Sequence, residues 1–202
     1  MAMPRSRNQA ETTFADILLR HAEEAVRFHG RMSGKVALRE AFVRDWIAVK
    51  LHRGPNKCGV NLEVRNDEFD GFLRDPNLPE PIEVQEAYNA LPLKSRRHFL
   101  DMVVFLDGRI HAIIELKMKR YVKEDIERTA KLQSIFKRTV LGFEVICIVG
   151  GRDGIDKEIG RLQGVLNNLG TTCGPLQRGA IFEAGDDKGC CCICVVPVEQ
   201  AA

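Results

Sequence analysis

The spacing of apolar positions changes several times along the chain, and each change marks an element. Over residues 13–29, Phe14, Ile17, Leu18, Ala22, Ala25 and Val26 recur at three- and four-residue steps. This predicts a helix capped by Thr13, with Asp16 three residues on, and ended by Gly30. A second helix is expected from about Val36 to His52, stopped at Gly54 and Pro55. Residues 53–80 are rich in Gly, Pro, Asn and Asp and hold one short strand-like piece, "GVNLEV". "PIEVQEAY" (81–88) reads as a strand, and a basic loop, "LPLKSRRH", follows it. Two apolar runs around Asp107-Gly108 read as a hairpin, and "VKEDIERTAKLQSIFKRTV" as a helix. "FEVICIVGG" (143–151) has the continuous apolar run of a buried central strand. A helix over about Asp156–Leu169 and a hairpin around Gly185–Gly189 complete the chain. The order is two helices, three strands, helix, strand, helix and two short strands, an α/β layered domain with a mixed sheet.

Composition narrows the class. The 202 residues are 45% hydrophobic and 29% charged, ordinary for one globular domain with some decoration. A net charge of +2 does not by itself make a nucleic-acid binder, so local charge must carry that question. No run approaches the roughly 18 apolar residues of a membrane helix. The N-terminal basic residues have no apolar segment behind them, so no secretory signal is read there. Seven irregularly spaced cysteines suit reduced thiols in a cytoplasmic protein better than a disulfide scaffold. In "CCCIC", alternation puts Cys190, Cys192 and Cys194 on one face without the paired spacing of a zinc site, and a buried terminal strand is the better account.

The hairpin, "FLDMVVFLDGRIHAIIELKMKR" (99–120), carries the chemistry. Along its second strand, His111, Ile113, Glu115 and Lys117 share one face, and Ile110, Ala112, Ile114, Leu116 and Met118 share the other. Along the first strand, Leu100, Met102, Val104 and Leu106 oppose Asp101, Val103 and Phe105. A plain two-residue turn would pair Asp101 with Ile114 and set an acid on a greasy face. An odd loop, or one bulge, pairs Asp101 with Glu115 and brings both apolar faces together. The odd register buries cleanly, so it is the one expected, with an odd loop as its source. Asp101, Glu115 and Lys117 then gather at one end of one face. Two neighbouring carboxylates repel unless a cation lies between them, and Mg²⁺ or Mn²⁺ is the natural occupant. A lysine one strand-step away can orient or activate water or neutralise phosphate charge, a constellation suited to cutting phosphodiesters.

Asp101, thirteen residues, then Glu115-Leu116-Lys117 resembles the core motif of the PD-(D/E)XK nuclease superfamily. The helix–three strands–helix–strand order over roughly residues 36–150 resembles that superfamily's common core, the restriction-endonuclease-like αβββαβ fold. Leu100 stands where the family nominally has proline. The resemblance implies a core over 36–170, an N-terminal helical extension over 1–35, and a C-terminal hairpin over 171–202 packed on the core. It also implies that Asp101 and Glu115 hold Mg²⁺ (or Mn²⁺) and that Lys117 positions or activates the attacking water.

The superfamily often adds a glutamate from the preceding helix. Glu40 is the odd acid in a stripe with Val36, Val43, Ile47 and Leu51, and is carried over as a metal ligand or a partner of metal-bound water. A first-turn acid favoured by the helix dipole is the rival account. Glu83 and Glu86 are weaker candidates for the same role. In the helix after the motif, Gln133 is the polar exception along an otherwise apolar line, though an amide bonded to backbone is the plainer reading. Lys94, Arg96, Arg97 and His98 precede the motif, and Lys119, Arg120 and Lys123 follow it. The hairpin should bring these clusters together as a positive rim for a phosphate backbone.

The expectation is a Mg²⁺-dependent endo- or exonuclease acting on nucleic acid, on DNA before RNA. No recognition module is visible, so sequence specificity would have to come from a homodimer or a protein partner. The rivals are a non-catalytic binding member of the same fold, and an α/β domain whose charged trio is an ordinary ion-pair cluster. A nucleotide site at "IVGGRDG" lacks both the phosphate-loop lysine and the spaced dinucleotide pattern.

Overall fold

A computed structural model describes residues 7–34, 39–78, 80–91, 99–118, 122–136, 139–184 and 189–199. Six α-helices and one seven-stranded sheet lie among the described residues. No helix among them is long and apolar enough to cross a membrane.

α1 (Arg7–Ser33) and α2 (Glu40–Arg53) cover one face of the sheet. α1 runs beyond its expected ends at both sides. Thr13 therefore lies inside it, and Gly34, at φ 66°, ends it instead of Gly30. β1 (Gly59–Val64) follows, then α3 (Asn66–Arg74), which the abundance of Gly, Asn and Asp hid from the sequence reading. Phe69 and Leu73, four residues apart, are its buried side. The reading of residues 81–88 as a strand is corrected: α4 spans Ile82–Ala90. Pro81 precedes its first turn, Val84 and Tyr88 are buried at helical spacing, and Ile82 is exposed.

The third strand of the meander is thus β1, which pairs antiparallel with β2 (Leu100–Leu106), which in turn pairs antiparallel with β3 (Arg109–Met118). α5 (Val122–Ile135) crosses over to β4 (Leu141–Gly150), which lies parallel to β3. α6 (Arg152–Leu169) leads by way of β5 (Gln177–Arg178) and β6 (Phe182–Glu183) to β7 (Cys190–Val198). β7 is antiparallel to β4 from Gly142↔Val198 to Gly150↔Cys190, and the sheet order is β1-β2-β3-β4-β7-β5, with β6 also on β7. This is a mixed α/β domain with a mostly antiparallel sheet.

The hairpin reaches its odd register by a route other than an odd loop. Asp107 (φ 51°) and Gly108 (φ 73°) form a two-residue turn with both residues left-handed, the backbone that matches strand twist. The extra residue is a bulge: Phe105 pairs with Ile110, but Val104 pairs with Ala112. His111 is the unpaired residue. One consequence differs from simple alternation, because Ile110 now faces the α3–α4–α5 side with Val103, Phe105 and Ile113. Beyond the bulge, Met102↔Ile114 and Val103↔Ile113 continue, and one more step sets Asp101 opposite Glu115.

The sheet separates two apolar layers. Ala112, Ile114, Leu116, Phe143, Val145, Cys191 and Ile193 pack under α1 and α2. On the other side, Val103, Phe105 and Ile113 meet α3, α4 and α5, and Ile146, Ile148, Cys192 and Val196 meet α6. Between these last two clusters, on β3 and β4, the surface facing α5 turns polar.

Candidate active site

Parity and the bulge bring Asp101, Glu115 and Lys117 together on this surface. Asp101 Oδ2 accepts the Leu116 backbone N–H at 2.7 Å, which fixes its carboxylate across the strand pair. Lys117 Nζ lies 3.5 Å from Glu115 Oε2, 3.7 Å from Asp125 Oδ2 and 4.0 Å from Asp101 Oδ2. One ammonium is thus shared loosely among three carboxylates. Glu115 is 1% exposed. Burial first, then the neighbouring Asp101 charge, pushes its carboxyl up to about 8. Lys117 and Arg128 oppose that shift without cancelling it.

Glu40, the first residue of α2, reaches the same place. Its carboxylate accepts the Met118 backbone N–H, and its pKa is raised, by burial first and then by Asp101. It is both a first-turn acid and a neighbour of the site.

Three further residues belong to the constellation and went unread in the sequence. Asp125, in the first turn of α5, pairs with both Lys117 and Arg128. Arg128 follows it at helical spacing and acts on Glu115 and Glu144. Glu144 sits beside Glu115 in the parallel β3–β4 register and is fully buried. Thr129 Oγ1 donates to its Oε1 at 3.4 Å, and its Oε2 has no hydrogen-bond partner among the described residues. Burial and then the Glu115 charge raise its pKa well above the ordinary carboxyl value. A signal existed for Glu144: one acid inside an eight-residue buried run of β4 (141–148).

Comparison with family models, with curated proteins and with solved structures finds no match to this chain. The site must therefore be judged on its own chemistry.

Among the described residues, Glu40, Asp101, Glu115, Asp125 and Glu144 gather around Lys117 and Arg128, with Arg44 also acting on Glu40. Among the described residues, no three His, Cys, Asp or Glu side chains are gathered into a ready-made metal cage. That donor set suits a hard divalent ion that takes one or two carboxylates and fills its remaining places with water or phosphate oxygens. It does not suit an ion that needs a closed protein shell. Asp101 and Glu115, opposite one another on β2 and β3, are the two strand carboxylates such an ion would meet.

The remaining sequence candidates lie elsewhere or outside the described residues. Gln133 is fully buried at the far end of α5, where its Nε2 donates to the Val140 carbonyl at 3.1 Å. It also fills the space above Gly142: a Cβ there would come within 2.7 Å of its amide carbon. Lys123 is exposed and lies 3.9 Å from Glu127 one turn on. Glu83 and Glu86 are exposed on α4. Lys94, Arg96, Arg97, His98, Lys119 and Arg120 fall outside the described residues. A cleft of about 500 Å³ opens at the turn end of the hairpin, beside Glu80, Asp107, Arg109 and His111, and shares no lining residue with the acidic site.

Proposed function

We propose that this chain is a metal-dependent nuclease of the PD-(D/E)XK type that hydrolyses phosphodiester bonds of nucleic acid, with DNA the first substrate to try. The observation that carries the reading is Lys117 Nζ within 3.5–4.0 Å of Glu115 and Asp101, two carboxyls so close and so buried that Glu115 keeps a proton up to about 8. An ordinary ion-pair cluster matches each carboxylate with a cation, whereas here burial and crowding leave Glu115 and Glu144 favouring their protonated forms, protons that a bound dication would displace. The order α2-β1-α3-α4-β2-β3-α5-β4 is compatible with the αβββαβ pattern of the resemblance if α3 and α4 are an insertion between its first two strands.

Asp101 and Glu115 would hold Mg²⁺ or Mn²⁺, which supplies Lewis-acid stabilisation of charge on the phosphoryl oxygens. Asp101 is pre-set for this by the Leu116 N–H. Lys117 is placed to hydrogen-bond the attacking water or a non-bridging phosphate oxygen, and Asp125 restrains its ammonium on the far side. Arg128, tethered to Asp125, is the second cation available to a phosphate. Glu40 stands at the outer edge to accept a proton from water entering beside Asp101.

The test is cleavage of labelled single- and double-stranded DNA and RNA with Mg²⁺, Mn²⁺ or EDTA. Cleavage of one class that EDTA stops and Mn²⁺ restores is the expected result. Nucleic-acid binding with no cleavage under any cation would replace this reading with a non-catalytic binding role.

A further inference from the structure

Glu144 is hard to explain as a packing residue. On its face of β4 the next positions are Ile146 and Ile148, both buried against the α6 cluster. An aliphatic side chain would continue that surface, whereas a carboxyl with one weak hydrogen bond and one bare oxygen opposes folding. Arg128 Nε, a buried donor without a partner among the described residues, belongs to the same charged cluster. Beside Glu115, on the next strand and on the crossover helix, the cluster thus holds a buried acceptor and a buried donor without partners among the described residues. The strongest charge acting on Glu144 is that of Glu115, its neighbour in the parallel register.

We infer that Glu144 is a positioning residue of the cation site: from beside Glu115 it strengthens divalent-cation binding without being an inner ligand. The inference rests on the proposed cation site at Asp101 and Glu115. A dication between those two carboxylates relieves the repulsion along the whole row Asp101–Glu115–Glu144. Glu144 then contributes attraction that an uncharged residue of the same shape does not. Thr129 holds one of its oxygens, and the other has no partner among the described residues. Outer residues of this kind commonly carry about tenfold or more of a site's metal affinity.

The experiment is Mn²⁺ titration of the full chain at fixed pH, read by calorimetry and by loss of the free-Mn²⁺ paramagnetic resonance signal. Wild type, Glu115→Gln and Glu144→Gln are compared, and melting of each is followed in EDTA. Glu144→Gln keeps the shape and the bond from Thr129 while removing the charge. The expected result is Mn²⁺ binding by wild type, severe loss in Glu115→Gln, and about tenfold weaker binding in Glu144→Gln. The EDTA melting temperature of Glu144→Gln should be no lower than that of wild type. A residue that only supports the fold would give the reverse, a lower melting temperature with Mn²⁺ affinity intact, and that outcome overturns the inference alone. No Mn²⁺ binding by wild type overturns the cation site itself. Should Glu144→Gln not fold, Thr129→Val takes its place: about threefold weaker Mn²⁺ binding is expected, and unchanged binding overturns the inference.

Discussion

Glu115 on β3 and Glu144 on β4 are buried as completely as Cys191, Cys192 and Cys194 on the adjoining strand β7, but burial acts differently on the two sets. A thiol at its ordinary pKa is mostly neutral at physiological pH, so burial leaves it as a small hydrophobe. Cys147 is raised well above its ordinary value and Cys191 up to about 12, both by burial first. Cys192 goes the other way, to about 7, because it is hydrogen-bonded to Cys194 and lies near Arg178, yet it is 0% exposed. A carboxyl is ionised in water at that pH, and burying it forces either neutralisation or a partner. On β7, sulfur fills space between α1 and α6. On β3 and β4, carboxyls crowd one another beside Lys117 and Arg128, and burial drives Glu115 and Glu144 toward their neutral forms. Reactive residue types inside a sheet therefore mean little until their charge balance is known.

The comparison breaks most visibly if a carboxyl is moved. Cys147→Asp puts an acid at a fully buried position where the neighbouring charges that act on it are those of thiols and Glu40, not of a lysine or arginine. It should cost more than about 4 kcal/mol, read by urea unfolding. Tolerance of that substitution would remove the special standing of Glu115 and Glu144. Next in size is the effect of the cation. At a hundredfold excess over its Kd, Mn²⁺ should stabilise wild type by about 2.7 kcal/mol and Glu115→Ala hardly at all, measured as a shift in Tm.

A pH series in EDTA sharpens the same contrast. Glu115 titrates near 4.5 when unfolded and near about 8 when folded, so between those values the folded chain binds the extra proton. Its contribution is complete below about pH 4.5 and lost as pH rises through about 8. Glu40 and Glu144 shift in the same direction. Cation-free stability should therefore fall from pH 5 to pH 8, and Glu115→Gln should flatten the slope. The smallest effect belongs to the thiols. Cys192→Ala should lose about 1–2 kcal/mol and leave Mn²⁺ affinity unchanged.

The sequence carried the trio because strand parity is strict: once both hairpin faces are required to be apolar, only the odd register remains. It could not say how that register arises. A bulge at His111 does the work of an odd loop, and backbone conformation at one residue leaves no composition signature. The α5 crossover and the buried β4 were legible from their apolar spacing. α3 and α4 were not, because turn-rich composition over residues 53–80 and the short run of residues 81–88 masked the four-residue spacing of Phe69–Leu73 and Val84–Tyr88. Glu144 was passed over inside an apolar run. Asp125 and Arg128, one turn apart on α5, carry no mark in the sequence that sets them beside Lys117. Partners in space from a distant strand and a crossover helix are set by tertiary packing, which local pattern does not contain.

In the proposed function, Asp101, Glu115 and Lys117 would cut phosphodiesters with a divalent cation. The most direct measurement is cleavage of DNA by wild type, Glu115→Ala and Lys117→Ala, each with Mg²⁺ and with EDTA. Mg²⁺-dependent cleavage by wild type that falls by more than about 100-fold in both variants is predicted. No cleavage by wild type, with nucleic-acid binding and melting unchanged by metal or by either substitution, would contradict it.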